Sequence, residues 1–214
     1  FLFDYARRKE AIVEFDLACM KRSLECGAEL SRKGKLFINV HPQLFAQCHR
    51  VNRLLKECAL QFDIPLENVV LEITEQEILA AEEPAIRCAA ELKRMGLQFA
   101  LDDVGMSYSH LNLIGAIGPS YLKISHSFGA TLHTNPTHEK IIRNIIALAT
   151  DFDCRVIVEG IEEMATMAAA LRVGAQLGQG YFFAEPREVV DFDSTAKRQV
   201  QWHAQPMERD HAAR

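Results

Sequence analysis

The chain has 214 residues, of which 49% are hydrophobic and 25% charged, and its formal net charge is −5. This composition is typical of one globular domain, and the acidic balance argues against polymeric DNA or RNA as a partner, because neutralising many phosphates requires a basic surface. No run approaches the roughly 20 apolar residues that a membrane helix needs, and no signal peptide opens the chain, so we expect a cytoplasmic protein.

Short, apolar, β-prone runs recur along the chain and predict six strands. They cover residues 35–40, 69–74, 97–103, 121–125, 155–160 and 175–183. Apolar residues at helical spacing predict helices in the segments before and between these strands. The helices cover residues 10–32, 43–60, 76–95, 138–152 and 162–173. Residues 191–214 are predicted to form a C-terminal helix and tail after a domain over 1–190.

Alternating strands and helices, with strands apolar on both faces, predict parallel βα units in an α/β fold. The first strand is not followed by the glycine fingerprint of a doubly wound dinucleotide-binding sheet, which favours a barrel. A closed barrel of this kind needs eight strands. We therefore expect a (β/α)8 TIM-like barrel whose first two strands precede Phe1.

The cysteines are scattered, without a CxxC pair or the tight spacing of a zinc or disulfide framework. They are Cys19, Cys26, Cys48, Cys58, Cys88 and Cys154. We expect all six to be reduced thiols, as is usual in the cytoplasm.

Each predicted strand holds one or two polar residues in an otherwise apolar run. These residues are Asn39, Glu72, Asp102, Asp103, Lys123, Glu159 and Gln179. In a parallel barrel the carboxyl ends of the strands converge on one face, so these groups would meet there. Carboxylate and amide oxygens suit Mg²⁺ or Mn²⁺, and adjacent carboxylates suit a two-metal centre of the kind that hydrolyses phosphoesters.

Lys123 has three interpretations at this stage. A desolvated lysine in a barrel strand can be a Schiff-base nucleophile. Nearby carboxylates instead stabilise the ammonium form, which favours orienting water or neutralising phosphate. A structural ion pair is the third alternative.

Six motifs in order resemble the EAL family of cyclic di-GMP phosphodiesterases over roughly residues 1–190. They read FINV with Asn39, LEITE (71–75), LDDVG (101–105), LKI (122–124), VEGIE (158–162) and QGYFFAEP (179–186). The resemblance implies a (β/α)8 barrel that hydrolyses cyclic di-GMP to the linear dinucleotide, with two Mg²⁺ or Mn²⁺ ions as cofactors and a homodimer as a further expectation.

The resemblance also implies residue roles. Asn39, Glu72 and Asp102 would bind the first metal, Asp102 would bridge, and Asp103 and Glu159 would bind the second. Lys123 and Gln179 would position the attacking water, Glu75 would hold the loop after the aspartates, and Glu162 would support the second ion. Ser107 and Tyr108 in that loop, and Pro186 in the last motif, are the remaining substrate or loop residues.

Two departures from the family pattern leave alternatives open. The sequence contains no Glu-Ala-Leu segment, and the loop reads DDVGMSYSHL where the family pattern is close to DDFGTGYSSL. Ser107 thus stands where a glycine tolerant of positive φ would be. The chain could therefore bind cyclic di-GMP as a receptor without turnover. An unrelated metal-dependent barrel enzyme is the third hypothesis.

Overall fold

The computed structural model describes residues 2–74, 82–105 and 110–186. The chain divides into two compact units, Phe1–Leu122 and Lys123–Arg214. None of the helices in these described ranges combines the length and apolar character needed to cross a membrane.

The first unit alternates helices with parallel strands. Its helices are α1 (Leu2–Arg8), α2 (Ile12–Ser31), α3 (Cys48–Phe62), α4 (Glu82–Arg94) and α5 (His110–Ile117), with 3-10 turns at Pro42–Gln47 and Leu66–Asn68. Its strands are β1 (Leu36–Asn39), β2 (Val69–Thr74), β3 (Gln98–Val104) and the first half of β4 (Tyr121–Ile124), in that order across the sheet. β2 lies parallel to both β1 and β3.

The second unit continues from the last two residues of β4. It contains α6 (His126–Gly129), α7 (Pro136–Asp151), β5 (Arg155–Val158), α8 (Met164–Arg172) and β6 (Leu177–Gly178). β5 lies between β4 and β6 and runs parallel to β6. α7 begins at a strong helix-start signal, since Asn135 accepts hydrogen bonds from the backbone N–H groups of Thr137 and His138, and Pro136 occupies the first turn.

The core of the first unit lies where the helices cover the strands. Leu24 of α2, Leu55 of α3 and Leu92 of α4 are each fully buried, because one face of each amphipathic helix is apolar. The rings of Phe45 and Phe99 approach with centroids 6.4 Å apart. Such burial stabilises by about 2 kcal/mol for each large apolar side chain.

Five predicted strands agree with the structure to within about two residues, but the prediction for the sixth is wrong. β6 ends at Gly178 and the chain turns over 181–183, where the Phe183 N–H donates to the Gly180 carbonyl. The helix predicted over 43–60 opens instead as a 3-10 turn, because Pro42 starts it and the His41 ring accepts from the Gln43 N–H. Helices α1, α5 and α6 were not predicted, and residues 75–81 lie outside the described residues.

The prediction of six reduced thiols is wrong for one pair. Cys48, the first residue of α3, and Cys88 of α4 form a disulfide between Cα atoms 5.4 Å apart. Their sequence separation of 40 carries no motif, so only the packing of the fold brings them together. The other four cysteines, Cys19, Cys26, Cys58 and Cys154, form no disulfide within the described part of the chain.

Candidate functional site

In the first unit, the predicted metal ligands lie at the carboxyl ends of neighbouring strands. Asn39 ends β1 and is in register with Glu72 of β2, while Thr74 of β2 is in register with Asp102 of β3. Glu72 is 8% exposed, Asp102 is half-buried, and Asn39 is exposed. Parallel pairing therefore places amide and carboxylate residues on neighbouring strands toward their carboxyl ends.

The two adjacent aspartates approach each other despite lying in a strand, where neighbouring side chains normally point to opposite faces. Asp103 has a left-handed backbone with φ of 57°. Its N–H donates to Oδ1 of Asp102 at 3.0 Å, and a carboxylate oxygen of each residue lies within 4.8 Å of the other. The left-handed backbone at Asp103 thus interrupts the alternation of side chains along β3, and the half-buried Asp102 and exposed Asp103 carboxylates lie close together.

Three predicted loop residues cannot be placed. Glu75, Ser107 and Tyr108 lie outside the described residues. Their predicted roles stay predictions.

In the second unit, Lys123 and Glu159 form a close ion pair. The Lys123 Nζ lies 2.8 Å from Glu159 Oε1, and the two side chains are 5% and 16% exposed. Lys123 belongs to β4, and Glu159 directly follows β5, where its N–H donates to the Ile124 carbonyl at 3.2 Å. A carboxylate this close favours the ammonium form of a lysine, which disfavours the Schiff-base interpretation of Lys123.

The backbone around Glu159 is fixed from two sides. Gly160 has φ of 70°, and a Cβ built there would approach the His126 carbonyl oxygen at 3.1 Å and the Ala130 nitrogen at 3.2 Å. On the other side, the Gln179 N–H donates to the Val158 carbonyl at 2.8 Å, and the Ile161 N–H donates to the Gln179 carbonyl at 3.1 Å. Glycine at 160 therefore allows the helix α6 to pack against the turn that carries Glu159.

The other predicted residues of the second unit are exposed. Gln179 directly follows β6, and Pro186 lies at the end of the described chain. Glu162 is 58% exposed and pairs with the His126 ring at 3.5 Å. Neither His126 nor Gly160 was among the predicted site residues; the glycine within VEGIE was the available signal for the second.

The sequence of the EAL domain family matches residues 2–186, and the chain belongs to this family. It is 30% identical to the cyclic di-GMP phosphodiesterase RocR of Pseudomonas aeruginosa over 74% of this chain and 40% of RocR, so the match spans less than half of that relative. This confirms the predicted family.

Solved structures share the fold. The EAL enzyme Bd1971, bound to cAMP and cyclic di-GMP, matches with a TM-score of 0.81 at 24% identity, over 89% of this chain and 53% of that one. BlrP1 of Klebsiella pneumoniae, in a complex with manganese and cyclic di-GMP, matches with a TM-score of 0.77 at 25% identity, over 83% of this chain and 45% of that one. The predicted TIM-like α/β fold class is confirmed.

Proposed function

We propose that this protein hydrolyses cyclic di-GMP to linear pGpG with the help of two Mg²⁺ or Mn²⁺ ions. The observation that carries the proposal is the Asp102–Asp103 carboxylate pair at the end of β3 in a chain of the EAL family. Similarity to RocR, a cyclic di-GMP phosphodiesterase, supports the proposed substrate. Similarity to BlrP1, whose structure contains manganese and cyclic di-GMP, supports the proposed metal.

The donor chemistry fits a hard divalent ion. The carboxylates of Asp102 and Asp103 lie within 4.8 Å of each other, and Glu72 and Asn39 add oxygen donors on the neighbouring strands. Sulfur and imidazole ligands play no part in this set, and oxygen-only sets suit Mg²⁺ and Mn²⁺.

The proposal assigns each residue a role. Asn39, Glu72 and Asp102 would hold the first ion, Asp103 and Glu159 would hold the second, and Asp102 would serve both. Bound ions would supply a water of lowered pKa and charge compensation at the scissile phosphate. Lys123, which pairs with Glu159, would orient the attacking water or neutralise phosphate charge, and Gln179 would help to position that water. Glu162 would support the second ion and Glu75 would hold the loop after the aspartates. Ser107, Tyr108 and Pro186 are the remaining proposed loop or substrate residues.

The test measures Mn²⁺-dependent conversion of cyclic di-GMP to pGpG, beside a binding isotherm for cyclic di-GMP. We expect turnover in the unmodified protein and a loss of at least 100-fold in Asp102→Asn, since one missing metal-bound oxygen removes several kcal/mol of transition-state stabilisation. Asp151→Asn, at the exposed end of α7, is the matched control and should retain full activity. Equal turnover in Asp102→Asn and the unmodified protein would contradict the proposal.

The alternative function is a cyclic di-GMP receptor without turnover. The observation that favours it is the altered loop DDVGMSYSHL, in which Ser107 replaces a family glycine. The same two measurements separate the functions: binding without turnover at any Mn²⁺ concentration supports the receptor. Absence of both binding and turnover would contradict both functions. The third hypothesis, an enzyme unrelated to this family, is ruled out by the family match over residues 2–186.

A further inference from the structure

The Cys48–Cys88 pair joins the helices that follow the first two strands. Cys48 opens α3 and Cys88 lies in α4, with Cα atoms 5.4 Å apart. Disulfides usually join Cα atoms between about 4.4 and 6.8 Å apart, so the backbone needs no movement for the bond to form or break. The pairing has no part in the proposed hydrolysis.

The two sulfur atoms differ in access. Cys88 is 1% exposed, whereas Cys48 is half-buried and lines an open surface cavity of about 520 Å³. A disulfide or thiol reagent from solvent therefore reaches Cys48 and not Cys88. Thiol–disulfide exchange requires an approach to the sulfur atom under attack, so access decides the order of events.

The cavity beside Cys48 carries both signs of charge. Arg53 and Lys56 line it on α3, while Glu91 of α4 contributes a carboxylate whose Oε2 lies 3.6 Å from Cys48 Sγ. The cations can bind the carboxylates of a small peptide. The attacking species in thiol–disulfide exchange is the thiolate, and nearby cations favour that form of a thiol.

We propose that Cys48 and Cys88 form a reversible dithiol–disulfide site that exchanges with low-molecular-weight peptide disulfides at Cys48. In the reduced protein, the Cys48 thiolate attacks one sulfur of the peptide disulfide, whose S–S bond breaks and releases one peptide thiolate. Cys88 then attacks the Cys48 sulfur of the mixed disulfide and releases the second thiolate. Two protein thiols lose two electrons, and the released peptide thiols take up the two protons.

Oxidation closes a covalent loop between α3 and α4. It restricts the unfolded chain more than the folded one, so the oxidised protein should unfold at a higher temperature than the reduced protein. The first unit should therefore be more stable where disulfides predominate over thiols in the surrounding solution.

The test titrates the reduced protein with mixtures of oxidised and reduced glutathione and maps the products by peptide mass spectrometry. We expect one crosslinked peptide pair joining Cys48 to Cys88, reversed by excess reduced glutathione, with a melting temperature several degrees higher in the oxidised form. Cys88→Ser should accumulate one glutathionyl group on Cys48, because the second exchange is blocked. Cys48→Ser should leave Cys88 unmodified.

Cys58→Ser is the matched control. Cys58 is a buried free thiol on the same helix as Cys48, and burial raises the pKa of its thiol. This variant should oxidise like the unmodified protein. Three results would each overturn the proposal. They are a crosslink through Cys19 or Cys26, glutathionylation of Cys88 in Cys48→Ser, and a disulfide that reductant does not cleave in the folded protein. If a variant folds poorly, peptide mass spectrometry of the unmodified protein still identifies which cysteines form the disulfide.

Discussion

Lys123 Nζ lies 2.8 Å from Glu159 Oε1, with both side chains largely withdrawn from solvent. Pairing offsets the cost of desolvating each charge, which would otherwise be several kcal/mol. The pair also joins β4 to the end of β5 through side chains, in parallel with the backbone hydrogen bond from Glu159 to Ile124.

Replacing Lys123 with methionine should therefore destabilise the protein. Glu159 would keep its carboxylate but lose this ammonium, and we expect the free energy of unfolding to fall by about 3 kcal/mol. Urea denaturation without divalent ions measures the change. The control is Lys140→Met on the exposed face of α7, which should change the stability by less than about 0.5 kcal/mol. Equal stability of the two variants would show that the pair contributes nothing.

The left-handed backbone at Asp103 predicts an unusual order of stability. Asp103→Ala should be about 1 kcal/mol less stable than Asp103→Gly, because alanine meets a steric penalty at φ of 57° and glycine does not. The same pair of substitutions at Asp151, the last residue of α7, should give the opposite order, since alanine favours a helix. Denaturation curves of the four variants compare the two sites; an Asp103→Ala variant as stable as Asp103→Gly would contradict the left-handed backbone at Asp103.

Gly160 should tolerate a side chain poorly. Gly160→Ala places a methyl group against α6 at a φ of 70°, and we expect about 2 kcal/mol lower stability. Because Gly160 follows Glu159 directly, the variant should also require more Mn²⁺ for half-maximal turnover. Gly115→Ala is the control. Among the described residues, no atom beyond the adjacent residues and the helix's own backbone lies within 4 Å of its added Cβ, and its place in α5 should make alanine neutral or stabilising by up to about 1 kcal/mol. An unchanged Mn²⁺ requirement in Gly160→Ala would show that this glycine does not affect metal binding at the proposed site.

Glu14 and Arg50 connect α2 and α3 on the surface and predict a pH effect. The hydrogen bond from Arg50, 3.0 Å long, holds the pKa of the Glu14 carboxyl below its ordinary value of 4.5. A folded-state pKa that is lowered contributes stability above the unfolded pKa, and this stability is lost as pH falls through the folded pKa.

The measurement is an NMR titration of the Glu14 carboxyl carbon. In Arg50→Gln its pKa should rise toward the ordinary value, and the variant should lose less stability than the unmodified protein on acidification. Arg53→Gln on the same helix lacks this hydrogen bond to Glu14 and is the matched control. A Glu14 pKa that does not move in Arg50→Gln would show that the pair is absent in solution.

The sequence predicted the positions of the strands better than the backbone conformation at their ends. Runs such as VVLEIT and RVIVEG are apolar on both faces and bounded by turn residues, so strands β2 and β5 were located closely. The length of β6 was overestimated because YFF is typical of a strand, whereas the hydrogen bond from the Phe183 N–H to the Gly180 carbonyl closes a turn there. The left-handed conformation of Asp103 depends on local packing and has no signal in the letters DD.

The short helices and the disulfide were missed for a related reason. α6 has four residues, too few for a periodic pattern, and is fixed by Ser125, whose hydroxyl accepts from the Ser127 N–H. Cys48 and Cys88 meet because the helical segments that follow β1 and β2 pack side by side, which a spacing of 40 residues does not encode. Local sequence patterns predict individual helices and strands, whereas contacts between distant segments can be identified only from the three-dimensional structure.

The bond between Cys48 and Cys88 encloses the whole of β2 in a covalent ring. A protease that cuts once anywhere within residues 49–87 of the oxidised protein therefore leaves two fragments still tethered to each other. They separate on a denaturing gel only after a reductant is added, so the chain can survive a backbone break next to Glu72 as a single molecule.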